Sequence, residues 1–219
     1  MTLFIWTRIY IFSFLPLLLG GFYYLLNRRT LSGSDVLEEY LVFYFAIAVA
    51  GSGIWNFFSH FFISDIVAKS IGWSAGSPFQ LEVAFANLAI GILGLIAVGR
   101  RDGYREAAVT ALAVFSIGAT VVHFMDIAVS GNLAPGNSIQ NIANIFKPAV
   151  LIFLLKKLRK NEAAGIVMKQ DKRLQISAGI ITGLCSATTA IGFTFHIPLF
   201  MSFISTVISL FIIFLIRRR

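Results

Sequence analysis

Residues 107–129 read AAVTALAVFSIGATVVHFMDIAV, and this stretch decides the fold. It is apolar for long enough to cross the roughly 30 Å hydrocarbon layer of a bilayer, which takes about 20 helical residues. Within it and just beyond, Ser116, Ala119, His123, Asp126 and Ser130 recur at steps of three and four, so they share one helix face. An ionisable side chain in hydrocarbon costs at least a few kcal/mol, so that face must look at protein or at a watery cavity.

The rest of the chain follows the same pattern. Of 219 residues 58% are hydrophobic and only 13% charged, a balance that excludes an ordinary soluble domain. Apolar runs of spanning length fall at about 9–26, 40–58, 79–98, 107–129, 139–155, 174–193 and 197–216, which predicts an all-α, polytopic transmembrane bundle with seven spans. Although the formal net charge is +8, the basic residues punctuate the gaps between runs instead of forming a stripe, which argues against nucleic acid as a partner and for membrane lipids.

Their placement also gives an orientation. Arg28 and Arg29, then Arg100, Arg101 and Arg105, then Lys156 to Arg173, then the Arg217–Arg219 tail all fall on one side, against Arg8 and Lys69 on the other. The positive-inside rule makes the first side cytoplasmic, so the N-terminus is expected outside and the C-terminus inside the cytoplasmic (inner) cell membrane. Arg8 before an apolar run is a signal-peptide feature, but no small-x-small cleavage site follows, so 1–26 is read as a span. The last pair of runs, separated only by Thr194, Phe195 and His196, is read as two spans, with a re-entrant hairpin as the alternative.

Three regions are expected: a five-span bundle over 1–155 that carries the polar cluster, a basic cytoplasmic linker over 156–173, and a two-helix tail over 174–219. In the tail, Gly179 and Gly183 form a GxxxG pair suited to close helix packing, and Cys185 has no partner cysteine in the chain. No internal repeat supports an inverted-repeat transporter. Between the second and third runs, Phe62, Ile63, Ile66, Val67 and Ile71 sit at helical spacing. They predict a short amphipathic helix in the outer interface, with Trp73 at headgroup depth and His60 and Asp65 in water.

The candidate site gathers polar residues from three consecutive spans: Gln80, Glu82 and Asn87 on the third, His123 and Asp126 on the fourth, and Asn137, Asn141, Asn144 and Lys147 on the fifth, with Asn132 in the connecting loop. At 1.5 Å per residue Glu82, His123 and Asp126 lie in the outer third and Lys147 near the midplane, just before Pro148. Three readings stand side by side. The set is an outward-facing pocket that binds or translocates a small polar or ionic ligand; or it is an enzyme site with His123 as acid or base and Asp126 orienting it; or it is a network in which Lys147 is neutralised by Glu82 or Asp126 and only helix register is fixed.

Metal chemistry is not assigned. His123 and Asp126 could share an ion with Glu82 and His60, yet no HExxH or paired-cysteine motif is present and Lys147 would oppose a cation. Gly72-Trp73-Ser74-Ala75-Gly76 matches GxSxG literally, but a nucleophile elbow needs a strand before it and a helix after it, and this match falls in an interfacial loop. No cofactor or catalytic residue is assigned, and homo-oligomerisation stays open.

One string is recognisable beyond its chemistry. Ser64-Asp65, Ser70-Ile71-Gly72-Trp73, Gly76-Ser77-Pro78-Phe79-Gln80 with Glu82, Asn87, Gly91 and Gly94, then His123 and Asn132-Leu133-Ala134-Pro135-Gly136-Asn137 together resemble a family of small prokaryotic integral membrane proteins built on a domain of unknown function. The resemblance covers about residues 36–155 and implies a helical membrane fold without an activity. It marks Ser77, Pro78, Gln80, Glu82, Asn87, His123, Asn132, Pro135 and Asn137 as motif positions. The chain departs from the pattern at Ser74, in place of proline, and at Asn144, in place of an acidic residue.

Overall fold

The computed structural model of the chain describes residues 2–165, and all of its regular structure is helical. There are six helices: α1 (Ile5–Asn27), α2 (Gly33–Phe62), α3 (Ser64–Ile71), α4 (Phe79–Gly99), α5 (Tyr104–Ser130) and α6 (Pro135–Ala163). All except the short α3 are long and apolar enough to cross a membrane, so the protein is membrane-embedded with five candidate spans. The sixth and seventh apolar runs, with the Gly179/Gly183 pair and Cys185, lie outside the described residues.

α2 is the axis of the bundle. Leu41 and every residue from Tyr44 to Ala50 are fully buried, enclosed by α1, α4 and α6. Leu18, Phe22, Leu25, Ile92, Ile96, Ile117 and Val121 cover the outside, the distribution expected where the solvent is lipid. Glycines set the closest approach: a Cβ on Gly53 would lie 2.6 Å from the Gly91 backbone, and one on Gly94 would lie 2.6 Å from Ala50 N. Any larger residue there forces α2 and α4 apart.

The end bearing Arg28, Arg29, Arg100 and Arg101 is closed by charge and packing. Glu38, buried at 1% exposure, accepts from Arg105 Nη1 at 2.6 Å, Arg105 Nη2 at 2.9 Å and Arg101 Nε at 3.0 Å. Arg105 Nε donates to the Ala97 carbonyl at 3.0 Å, which ties the α4–α5 turn to α2. At the turn itself Arg100 holds the exposed Asp102 carboxyl below the usual carboxylate range. Arg159 of α6 joins the same corner through Glu106 at 2.6 Å and the Arg101 carbonyl at 2.8 Å. Below this lock Phe43, Phe45, Leu112, Leu151, Leu154 and Leu158 fill the core.

Two π-helical segments interrupt the spans, Tyr10–Phe14 in α1 and Tyr44–Gly51 in α2. They face each other: Tyr44 Oη donates to the Ser13 carbonyl at 2.9 Å. A wider helical turn leaves a carbonyl misaligned, and a neighbouring hydroxyl satisfies it.

Span boundaries differ from the hydropathy reading in one instructive place. α2 starts at Gly33, not near residue 40, and runs on to Phe62, so Ser59 and His60 belong to the span. The start is a capping box: Ser32 Oγ accepts from Asp35 N at 3.2 Å while Asp35 Oδ2 accepts from Ser32 N at 2.9 Å. The amphipathic helix expected after it is real but is confined to Ser64–Ile71, and α6 carries on through the basic residues to Ala163.

Candidate functional site

At the end opposite the Glu38–Arg105 lock the helices splay around a cavity of about 560 Å³, a size that suits a small ligand. Every helix contributes to its wall. Arg8 comes from α1, Asn56 and His60 from α2, Ser70 and Ile71 from α3, Gln80 and Asn87 from α4, His123 from α5, and Gln140 and Asn144 from α6. The lining residues include one arginine and no carboxylate. An apolar strip of Val114, Phe115, Ala119 and Val122 on α5 completes the wall.

The polar wall is held by side chains bonding to one another. Arg8 Nη2 donates to Asn56 Oδ1 at 2.6 Å, and Asn56 Nδ2 donates to Asn87 Oδ1 at 3.2 Å, which links α1, α2 and α4 in one chain. The Arg8 guanidinium also lies over the Trp55 ring at 5.9 Å. His60 Nδ1 meets Gln80 Oε1 at 2.5 Å, so a residue expected in interfacial water is a wall residue half-buried against α4. Gln140 Oε1 is a buried acceptor with no hydrogen-bond partner.

Beside the cavity stands a second cluster centred on Asp126. Its Oδ2 accepts from Trp73 Nε1 at 2.8 Å, Asn132 Nδ2 at 2.7 Å and Asn137 Nδ2 at 3.0 Å, and its Oδ1 accepts from Ser130 Oγ at 2.6 Å. A carboxylate with this many donors is stable as an anion. Asp126 does not touch His123 directly. Asn137 stands between them: its Nδ2 donates to Asp126 and to the Asn132 carbonyl at 2.8 Å, two acceptors without protons. Its Oδ1 must therefore face His123 Nδ1, at 2.7 Å, and accept that nitrogen's proton. The ring is left with Nε2 as the nitrogen for the cavity, and Trp73 stacks on it at 5.3 Å and 27°.

This cluster explains why the recognisable strings belong together. Gly72 ends α3 in the left-handed region at φ +80°, and a Cβ on it would lie 2.5 Å from Asn132 Oδ1. Asn132 Nδ2 in turn donates to the Ile71 carbonyl at 2.8 Å. A Cβ on Gly136 would lie 2.6 Å from the Ser70 carbonyl. The Ser70–Trp73 and Asn132–Asn137 stretches are thus the two halves of one clasp between α3, α5 and α6. Gly72-Trp73-Ser74-Ala75-Gly76 is the chain leaving α3, with no strand before it.

The structure brings Gln80, Asn87, His123 and Asn144 to the cavity and Asp126, Asn132 and Asn137 to the clasp. Asn141 lies behind, its Nδ2 donating to the Asn137 carbonyl at 2.8 Å. Glu82 and Lys147 are elsewhere. Glu82 is exposed in the first turn of α4, where a negative charge suits the helix N-terminus. Lys147 is buried one turn below Asn144; its Nζ donates to Ser52 Oγ at 3.3 Å, and it makes no ion pair with Glu82 or Asp126. Nor do His60, Glu82, His123 and Asp126 form a metal cage: among the described residues no three His, Cys, Asp or Glu side chains converge. Arg8, which the sequence places only in the topology, and Asn56, to which it gives no role, are site residues as well; Gln140 shares the polar face of α6 with Asn137, Asn141 and Asn144, and Trp73 belongs to the recognisable string. The signal for Arg8 was present, an arginine four residues inside an apolar helix.

No curated protein and no solved structure matches the chain. One family does, and it matches residues 7–164, which takes in the five spans from the second turn of α1 onward, the clasp and all of the cavity lining except Ile5. The chain belongs to this family, the family of unknown function DUF6790.

Proposed function

We propose that the protein is a multi-pass protein of the cytoplasmic membrane that binds a small polar or ionic ligand in the cavity between α1, α2, α4, α5 and α6, reached from outside. The observation that carries this reading is the cavity itself: polar groups from every span, several bonded to one another along the wall, still surround an open space. The bias of Arg and Lys toward the Glu38–Arg105 end supports a cytoplasmic assignment for that end and an outward-facing cavity. Because the cytoplasmic half is filled by Tyr44, Phe45, Leu151 and the buried Glu38–Arg105 pair, binding is favoured over conduction through an open pore. With one arginine and no acidic wall residue, the cavity favours a ligand bearing negative charge.

A site kept for a ligand is strained when empty, whereas a structural lock is not. Gln140→Leu therefore separates the two readings, because it removes a buried acceptor that has no partner. The expected result is equal or higher thermal stability of the purified protein. A clear loss would make Gln140 part of a lock and overturn the reading.

A second reading rests on His123. Its Nδ1 is fixed by Asn137 and its Nε2 is left for the cavity, an arrangement that suits a general base acting on a bound ligand. Turnover lost in His123→Gln with ligand binding retained would support it, and unchanged turnover would exclude it.

A further inference from the structure

The cavity has a side opening. Six residues that line it are also exposed: Ser74 and Ser77 in the loop before α4, Phe79 at the start of α4, and Val114, Gly118 and Val122 along α5, of which the last four form the apolar side. Phe79 is 62% exposed, Val114 70% and Val122 50%, values that place them on the face toward the bilayer. α5 packs chiefly on α6 and α4 chiefly on α2, so α4 and α5 pack less closely on each other than on those partners. At 1.5 Å per residue, Val122 and Val114 lie about 12 and 24 Å along α5 from its outer end at Ser130. That depth is hydrocarbon, so the seam opens into lipid and not into water.

Polar and apolar features are separated accordingly. Arg8, Asn56, His60 and Gln80, toward the outer ends of α1, α2 and α4, form the polar wall, and Phe79, Val83, Val114 and Val122 line the seam. An amphiphile entering sideways would place its head against the first set and leave its chains in the second. Arg8 provides a fixed positive charge for the head, while the absence of an acidic lining residue leaves a choline or ethanolamine cation without a counter-charge. Gln140 Oε1, the buried acceptor without a partner, asks for a hydroxyl donor on the ligand.

Resting on the binding reading above, we propose that the ligand is an anionic phospholipid with a hydroxyl-bearing headgroup, admitted from the outer leaflet between α4 and α5. The phosphate sits at Arg8, a headgroup hydroxyl donates to Gln140, and the acyl chains lie along Val114 and Val122.

The test has two arms. In the first, the full chain is reconstituted in vesicles of phosphatidylcholine and phosphatidylglycerol, extracted in mild detergent and weighed by native mass spectrometry. In the second, the delipidated protein is titrated with soluble glycerol phosphate, which has the head but no chains. The wild type is expected to retain phosphatidylglycerol in preference to phosphatidylcholine. Arg8→Gln should reduce retention about tenfold, the loss of one charge-assisted hydrogen bond, and Arg8→Lys should restore part of it. Because Arg8→Gln also removes a bond to Asn56, the independent variant is Gly118→Trp. A Cβ on Gly118 meets nothing within 4 Å, so a large side chain there narrows the seam without entering the core. It should lower lipid retention severalfold at unchanged melting temperature.

Equal retention of the two lipids, or retention unaffected by Gly118→Trp, overturns lateral lipid binding. If soluble glycerol phosphate then still binds in an Arg8-dependent way, the polar cavity survives as a site for a soluble anion. If neither ligand binds, the anion-binding reading of the cavity falls with it.

Discussion

Asn137 offers the sharpest test of the clasp, because it is completely buried and ties His123 to the Asp126–Asn132 pair. Asn137→Ala deletes the acceptor for His123 Nδ1 at 2.7 Å and the donors to the Asn132 carbonyl at 2.8 Å and Asp126 Oδ2 at 3.0 Å. Asp126 keeps its bonds to Trp73, Asn132 and Ser130 and loses little. The His123 N–H is left buried without a partner and the half-buried Asn132 carbonyl loses its donor, a cost of roughly 2–4 kcal/mol together. For a protein of this size a kcal/mol shifts the melting temperature by roughly 2–4 °C, so thermal unfolding in detergent should fall by about 10 °C. Asn137→Asp, which keeps the acceptor for His123 but turns a second carboxylate toward Asp126, should do no better. A melting temperature within about 2 °C of the wild type for Asn137→Ala would refute the assignment of Asn137 as the bridge.

Two further predictions concern the fold. Gly53→Ala places a methyl 2.6 Å from Gly91 backbone, which no side-chain rotation relieves, and should cost about 1–3 kcal/mol. Gly118→Ala, in open space, should be stabilising by up to about 1 kcal/mol; equal melting curves for the two variants would remove the close α2–α4 contact from the account. Glu38→Gln leaves Arg105 buried without its counter-ion and should cost about 3–5 kcal/mol in denaturant unfolding. Removing the exposed Arg100–Asp102 pair with Arg100→Ala should cost less than about 1 kcal/mol, and the reverse order would show that the buried lock is not what closes that end.

The spans were legible because lipid imposes a length and a composition that local hydropathy reports directly. α4 matches its expected bounds to within a residue. The apolar run starts α2 near residue 40, after Glu38 and Glu39; the helix takes in Glu38 because an arginine 67 residues away pairs with it, which no local pattern reveals. His60 was assigned to water because its neighbours Phe62, Ile63 and Ile66 show helical amphipathicity, but the change from α2 to α3 at Ile63 resets that periodicity. Glu82 was expected inward from its place in an apolar run, yet the first turn of a helix accepts a carboxylate on its exposed side. His123 and Asp126 were read as neighbours on one face, which is correct; the amide that separates them comes from another helix. The π-helical segments left no signature in composition or spacing.

The proposed function requires the cavity lined by these polar residues to open to the outside. The most direct measurement is the reaction of Asn144→Cys, in a Cys185→Ser background, with a small thiol reagent that does not cross membranes, added to intact cells. Asn144 of α6 lines the cavity, and Cys185 is the chain's single native cysteine. The cavity predicts labelling from outside, and none at a control cysteine in place of Leu151, which is fully buried in the packed half of the bundle away from the cavity. An Asn144→Cys thiol that resists the reagent in intact cells, or that reacts only when the reagent reaches the cytoplasmic face, would contradict it.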